Sequence, residues 1–210
     1  MIRVLIADDH AVVRQGLKQI LSDTPDITAV AEARDGEEVL QKVRTDNVDV
    51  VVLDITMPGR SGLETLTHLK RERPQLPVLM LSVHSEDQYG ARVLKSGACG
   101  YVTKDSAPDQ LVAAIRKAVM GGKYVSPTLA EKLASHLDSD LDTPPHESLS
   151  DREYEVLCLI GSGKTIKEIA DKLSLSEKTI STYRSRILEK MDMRNNGELI
   201  HYVIRQGLVD

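Results

Sequence analysis

Four consecutive apolar residues, Val50-Val51-Val52-Leu53, run directly into Asp54, and Ile55-Thr56-Met57-Pro58-Gly59 follow at once. A run this uniformly apolar and rich in β-branched residues reads as a strand buried on both faces, inside a parallel sheet with helices above and below. Asp54 then ends a central strand, and Pro58 and Gly59 turn the chain away. In open α/β sheets, ligands bind outside the carboxyl ends of the strands. A carboxylate there reads either as a nucleophile or metal ligand, or as a cap on the next turn. For this one residue the two readings stand even.

The first half of the chain repeats the pattern. Strand-like runs occur at Val4–Ala7, Thr28–Ala31, Val78–Leu81 and Gly100–Thr103, and segments of helical apolar spacing lie over 10–22, 36–45, 62–72, 86–96 and 107–120. Five such units joined by right-handed crossovers predict an α/β, doubly wound, five-stranded parallel sheet of flavodoxin-like kind. The ends of its first, third, fourth and fifth strands then face one crevice. Asp8 and Asp9 follow the first strand and Asp54 closes the third. Ser82 closes the fourth, and Lys104 follows the fifth with Tyr101 three residues before it.

Three carboxylates in a small volume repel one another, and a hard divalent cation relieves the repulsion. Mg²⁺ fits, being commonly held by one or two carboxylates, waters and a substrate phosphate. Asp54 beside such an ion is placed to attack phosphorus and form an aspartyl phosphate. The metal, the Lys104 ammonium and the Ser82 hydroxyl would stabilise the transferring group. Singly, each residue has an ordinary use: Asp9 as a helix cap, Lys104 as a solvated charge, Ser82 in a local turn. Their recurrence at successive strand ends favours the shared use.

The chain has 210 residues, room for more than one domain. Its 27 Lys and Arg against 32 Asp and Glu argue against nonspecific coating of nucleic acid or membrane, while leaving room for a local basic patch. Cys99 and Cys158 match no metal-ligand spacing and read as reduced core thiols, which suits the cytoplasm. The apolar start Ile2–Ile6 is too short for a signal peptide, and no later stretch is long enough to cross a bilayer.

After the sheet, Ser126–Leu137 reads as a helix with Pro127 in its first turn and an apolar stripe of Leu129, Leu133 and Leu137. Residues 138–147, with Asp138, Asp140, Asp142, Pro144, Pro145 and Glu147, have the composition of an acidic linker. Ser150 with Glu153 forms a capping-box pattern that opens a helix ended by Gly161 and Gly163, and Thr165 with Glu168 repeats it over a helix to Leu173. Ser174-Leu175 make a tight connection, and Ser176 caps a third helix to about Met191. Two helices joined by so short a turn make a helix-turn-helix. In the third helix Ile180, Tyr183, Ile187 and Met191 are expected to face the core. Lys178, Thr182, Ser185 and Glu189 lie opposite, flanked by Ser181 and Arg186. From 164 to 190, seven cations (Lys164, Lys167, Lys172, Lys178, Arg184, Arg186, Lys190) outnumber Glu168, Asp171, Glu177 and Glu189 by three, enough for a salt-sensitive attraction to DNA. On charge alone, a solvated three-helix interaction module fits as well.

The strand-end constellation over residues 2–121 resembles the receiver domain of two-component response regulators. That resemblance implies Mg²⁺ on Asp8, Asp9, Asp54 and the backbone carbonyl of Thr56. It makes Asp54 the phosphoacceptor, Ser82 and Lys104 phosphoryl-binding, and Tyr101 the aromatic switch position. His84 stands where this family tunes dephosphorylation. Residues 149–209, through Leu149-Ser150-Asp151-Arg152-Glu153, Lys167-Glu168-Ile169-Ala170 and Leu175-Ser176-Glu177-Lys178-Thr179-Ile180, resemble the LuxR-type helix-turn-helix of NarL/FixJ response regulators. A receiver over 1–121, a connector over 122–148 and a DNA-binding domain over 149–210 are implied. So are a sensor histidine kinase, a double-stranded DNA operator, and a homodimer on DNA formed through a last helix near 196–206. Lys164, Thr165, Lys167, Lys178, Thr179, Ser181, Thr182, Tyr183, Arg184, Ser185, Arg186 and Lys190 are the candidate DNA contacts. Tyr183 stands where many members have His, and the small hydroxyl residues around it pair with several bases. Two alternatives remain beside this reading. One is a haloacid-dehalogenase-like phosphatase, whose second acid two residues after the nucleophile is here Thr56. The other is a DNA binder indifferent to phosphorylation.

Overall fold

The structure, a computed structural model, describes residues 1–138 and 144–209. They divide into two compact units, Met1–Glu131 and Lys132–Asp210.

In the first unit, β1 (Ile2–Ala7), β2 (Ile27–Ala33), β3 (Val50–Asp54), β4 (Val78–Ser82) and β5 (Gly100–Thr103) form one parallel sheet in the order β2-β1-β3-β4-β5. The intervening helices are α1 (Ala11–Ser22), α2 (Gly36–Thr45), α3 (Gly62–Glu72) and α4 (Glu86–Lys95), with α5 (Ala107–Val119) after the last strand. This is the doubly wound architecture the strand runs predict. Val4, Ile6, Val50, Val52, Leu79 and Leu81 line one face with Leu17 and Leu21 of α1 and Leu111 and Ile115 of α5. The alternate residues Leu5, Val51, Leu53 and Met80 are equally buried and point to the other face. Strand β2 is longer than its apolar run, because Glu32 and Ala33 go on pairing with Ile6 and Ala7.

Register fixes which ends meet. Ala7 pairs with Leu53, Asp54 with Leu81, and Ser82 with Thr103, so Asp8, Asp54, Ser82 and Lys104 come out at one rim. Gly62 keeps that rim tight. A Cβ there would lie 1.9 Å from the Asp54 carbonyl oxygen, and the Gly62 N–H donates to the Ile55 carbonyl at 2.8 Å.

Beyond α5 the chain continues into α6 (Pro127–Asp138), whose first turn belongs to the first unit. Residues 139–143 of the acidic stretch read as a linker, Asp140 and Asp142 included, lie outside the described residues, as does the Leu137 side chain. Residues Pro145–Ser148 depart from that reading and form a 3-10 turn. The His146 ring packs on Tyr154 and Tyr202, and its Nδ1 lies 2.7 Å from the Tyr202 hydroxyl.

The second unit holds α7 (Asp151–Gly161), α8 (Ile166–Leu173), α9 (Glu177–Lys190) and α10 (Asn196–Arg205). Capping boxes at Ser150/Glu153 and Thr165/Glu168 start α7 and α8, and the Ser176 hydroxyl accepts from the Thr179 N–H at the start of α9. Gly163, at φ +76°, turns the chain out of α7, while Gly161 is where Val203 of α10 comes closest. The helix-turn-helix bend is made by Ser174 in the left-handed region, φ +54°. Val156, Leu157, Ile169, Leu173, Ile180, Ile187, Leu199 and Val203 are the fully buried apolar centre.

Candidate functional site

At the rim of the first unit, Lys104 joins two buried carboxylates. Its Nζ donates to Asp54 Oδ2 at 2.8 Å and lies 2.7 Å from Asp8 Oδ2. The second contact is one of charge, because Asp8 Oδ2 is buried without a hydrogen bond of good geometry. Burial is the main force on the Asp54 carboxyl and pushes it up to about 6. Lys104 opposes this, and the Asp8 charge adds to it. Burial works against the Lys104 ammonium, yet the facing carboxylates outweigh it, and the net displacement is upward.

Asp9 is exposed, and His10 Nδ1 lies 2.6 Å from Asp9 Oδ1 and 3.3 Å from Asp8 Oδ1. One ligand atom each from Asp8, Asp9, His10 and Asp54 can be chosen so that all lie within 4.8 Å of one another. Thr56 follows β3 in the loop, half-buried. Ser82 is buried at the end of β4, where its Oγ accepts from the His84 N–H at 3.1 Å. Tyr101 is fully buried. Its hydroxyl donates to the His84 carbonyl at 2.9 Å, and burial pushes the phenol's pKa upward.

Two residues of this rim escape a reading by strand ends. His10 follows the acidic pair directly, and its position next to Asp9 was the available signal. Arg14, one turn into α1, donates from Nη1 to the Asp8 carbonyl at 2.8 Å and from Nε to Glu32 at 3.1 Å. Glu32 also accepts from Lys18 at 2.7 Å. Only the fold brings β2 beside α1, so no local motif announces this bracing.

In the second unit the candidate contacts separate into groups. Ser176, Lys178, Thr179, Thr182, Tyr183 and Arg186 line one surface cleft on α9. Ser181 and Ser185 are exposed on the same helix, and the Ser185 hydroxyl donates to the Ser181 carbonyl at 3.0 Å. Lys164, Thr165 and Lys167 are exposed at the start of α8, with the Thr165 hydroxyl donating to Glu168 at 2.8 Å. Two cations are engaged within the domain. Lys190 Nζ lies 2.6 Å from the buried carboxylate of Glu153, and Arg184 Nε donates to Asn196 Oδ1 at 2.5 Å. Burial works against the Glu153 carboxylate, but the bonds from Lys190 and Ser150 outweigh it and hold its pKa below the ordinary value.

Tyr183 departs from its expected place. Ile180, Ile187 and Met191 are buried as predicted, but Tyr183 is half-exposed in the cleft. Three residues on from Ile180 it sits about 60° round the helix from that stripe, which accounts for its partial exposure.

Comparison with known proteins follows the same two-part division. Residues 4–116 match the response regulator receiver domain, and residues 147–203 match the bacterial regulatory proteins of the luxR family. The chain is 39% identical to the response regulator UvrY of Escherichia coli K12 over 209 residues, 99% of this chain and 96% of that one. It is 40% identical to the response regulator GacA of Pseudomonas viridiflava, covering 100% of this chain and 99% of that protein. Among solved structures it is similar to RcsB from Salmonella enterica serovar Typhimurium, bound to promoter rprA in the presence of the phosphomimetic BeF3⁻. That likeness has a TM-score of 0.65 at 28% identity and covers 97% of this chain and 99% of that one. The phosphatase alternative falls with these relatives, which are response regulators and not enzymes. Receiver and helix-turn-helix together place the chain in a family: it belongs to the NarL/FixJ-type two-component response regulators, DNA-binding regulators of transcription.

Proposed function

We propose that the chain is switched by phosphorylation of Asp54 and that the switch governs operator binding by a dimer of its C-terminal domain. The observation that carries this is the Lys104 Nζ lying within 2.8 Å of a carboxylate oxygen of both Asp8 and Asp54 at the rim, in one chain with a helix-turn-helix. In this reading residues 1–121 receive the phosphoryl group, 122–148 connect, and 149–210 bind DNA. The donor is a sensor histidine kinase. An Asp54 oxygen attacks phosphorus, the P–N bond to the donor imidazole breaks, and the imidazole leaves. With its pKa at about 6, Asp54 is mostly ionised at neutral pH and available as the nucleophile.

The donors present suit Mg²⁺. They are carboxylate oxygens, and Asp8 Oδ2 is a buried anionic atom lacking a hydrogen bond. Asp8, Asp9, Asp54 and the Thr56 carbonyl would hold the ion, which when bound neutralises charge on the transferring phosphoryl group. Lys104 then turns from pairing carboxylates to pairing a phosphoryl oxygen. Ser82 gives its hydroxyl to another oxygen, and Tyr101, buried with its hydroxyl on the His84 carbonyl, is the aromatic packed beside it. On the second domain the α9 cleft enters the major groove, with Lys178 and Arg186 on phosphates and Ser181, Thr182, Tyr183 and Ser185 towards bases. Lys164, Thr165 and Lys167 approach the backbone from α8. The cytoplasm is the proposed location: both cysteines are buried and unbridged, and among the described residues no helix is long and apolar enough to cross a membrane.

The test is operator affinity with and without an acyl phosphate, for this chain and for Asp54→Ala, on duplexes selected from a random pool. Tighter binding only for the phosphorylated parent is expected. Equal affinities in all four cases would refute control by phosphorylation, because a modification that favours neither state shifts nothing.

A further inference from the structure

His10 is the member of the rim that the proposed function leaves without a task. It stands at the N-cap of α1, yet its side chain makes no cap hydrogen bond. That side chain is 66% exposed and still turns back onto the acidic cluster, with Nδ1 2.6 Å from Asp9 Oδ1 and 3.3 Å from Asp8 Oδ1. The His10 N–H donates to the same Asp8 oxygen at 2.8 Å, tying that carboxylate to the residue whose ring faces it. The floor of the cluster is short of donors. Asp8 is fully buried with Oδ2 lacking a hydrogen bond, and the Lys104 ammonium is shared between Asp8 and Asp54.

A nitrogen at this place adds little for Mg²⁺, a hard ion that takes oxygen ligands and keeps several waters. Imidazole suits zinc, nickel and copper instead. One imidazole and three carboxylates make a four-coordinate zinc set, in which ligand atoms about 2 Å from the metal lie about 3.3 Å from one another. His10 Nδ1 and Asp8 Oδ1 already have that spacing, and one ligand atom from each of Asp8, Asp9, His10 and Asp54 falls within a 4.8 Å cluster. The remaining adjustment falls on the exposed pair, His10 and Asp9, while Asp8 and Asp54 are held by burial and by Lys104.

We infer that His10 makes the acidic rim a second kind of metal site, which takes Zn²⁺ or a like borderline divalent ion through Asp8, Asp9, His10 and Asp54 in competition with Mg²⁺. The ion takes the place of a proton on Nδ1. With four side-chain ligands the site is closed, as in structural zinc centres, whereas Mg²⁺ is rarely enclosed by protein ligands alone. Zinc therefore blocks phosphoryl transfer to Asp54. The block rests on the phosphorylation reading above; the binding does not.

The test compares the full-length chain with His10→Ala at one pH. Zn²⁺ affinity is read by competition with a chromogenic chelator, and Mg²⁺ affinity by titration calorimetry. Removing the ring should weaken Zn²⁺ binding about tenfold or more and change Mg²⁺ binding by less than about twofold. Co²⁺, a spectroscopic stand-in for zinc, should give the intense visible absorption of a four-coordinate site in the parent and lose it in His10→Ala. With acetyl phosphate and Mg²⁺, the mass gain of one phosphoryl group should be suppressed in the parent at a Zn²⁺ concentration about tenfold below that needed in His10→Ala. Equal Zn²⁺ affinities, or a Co²⁺ spectrum that His10→Ala leaves unaltered, would overturn the site. Zn²⁺ binding that depends on His10 without suppressing the mass gain would overturn the block. No mass gain with Mg²⁺ alone would overturn the phosphorylation reading and the block with it, while the site stands or falls on the affinities.

Discussion

Asp54 is the residue on which stability and chemistry pull in opposite directions. Its carboxyl is pushed from 3.8 up to about 6, so between these values the folded chain holds a proton that the unfolded chain has released. Stability therefore falls as pH rises through that window, and above it the whole penalty of a buried carboxylate is present. Asp54→Asn removes the charge at nearly the same size. In metal-free buffer at pH 7.5 it should raise the urea stability of the receiver by up to about 3 kcal/mol, the worth of roughly two pKa units. Near pH 4 the gain should vanish, and a gain equal at both values would show that the charge is not its source. Gly62 imposes the opposite constraint, because no side chain fits under the Asp54 carbonyl. Gly62→Ala should lose about 3 kcal/mol or more in the same measurement. The placing of Asp8, Asp9, Asp54, Ser82 and Lys104 was legible because each ends an apolar run, and parallel register carries such ends to one rim. The bracing of Asp8 by Arg14 was not, since its partner Glu32 becomes a neighbour only after β2 pairs with β1.

Helices in the second unit were legible from their caps, which are local chemistry: Ser150/Glu153 and Thr165/Glu168 each close two hydrogen bonds within four residues. Their outward faces were less so, because counting cations does not say which are already engaged. Lys190 belongs to the count but lies on Glu153, tying the end of α9 to the start of α7, whereas Lys178 and Arg186 line the open cleft. Lys178→Ala and Arg186→Ala should each lessen the slope of log affinity against log salt by about 1. Lys190→Ala should leave that slope unaltered and instead destabilise the domain, since it strands a buried carboxylate. A salt titration of DNA binding beside a denaturant titration separates these outcomes. The turn between α8 and α9 carries its own strain. Ser174 sits at φ +54°, a region glycine enters freely, so Ser174→Gly should stabilise the domain by about 0.5–1 kcal/mol. The turn at Pro145–Ser148 escaped a composition reading for a related reason. Its prolines and acids look like linker, and its order comes from His146 meeting two tyrosines supplied by α7 and α10.

At the scale of the whole molecule, the regulator must obey linkage whatever path the signal takes between its domains. In the proposed function Asp54 and the α9 cleft take different ligands, and if occupancy of one raises affinity at the other by some factor, the reverse effect must be equal. Beryllofluoride makes this measurable, because it binds reversibly where a phosphoryl group would be covalent. With Mg²⁺ present it should tighten operator binding by roughly 5- to 150-fold, the usual range of a coupling of 1–3 kcal/mol. Saturating operator should then lower the beryllofluoride concentration needed for half-occupancy by the same factor, read by fluorine resonance on the full chain. Lys104→Ala, which removes the cation bridging Asp8 and Asp54, should weaken beryllofluoride binding while leaving the affinity of the unmodified chain for operator near its parent value. A beryllofluoride affinity indifferent to operator, in a chain whose operator affinity does respond to beryllofluoride, would violate the cycle. It would mean that the two measurements report different assemblies, for instance a dimer formed in only one of them, so both titrations belong at one protein concentration.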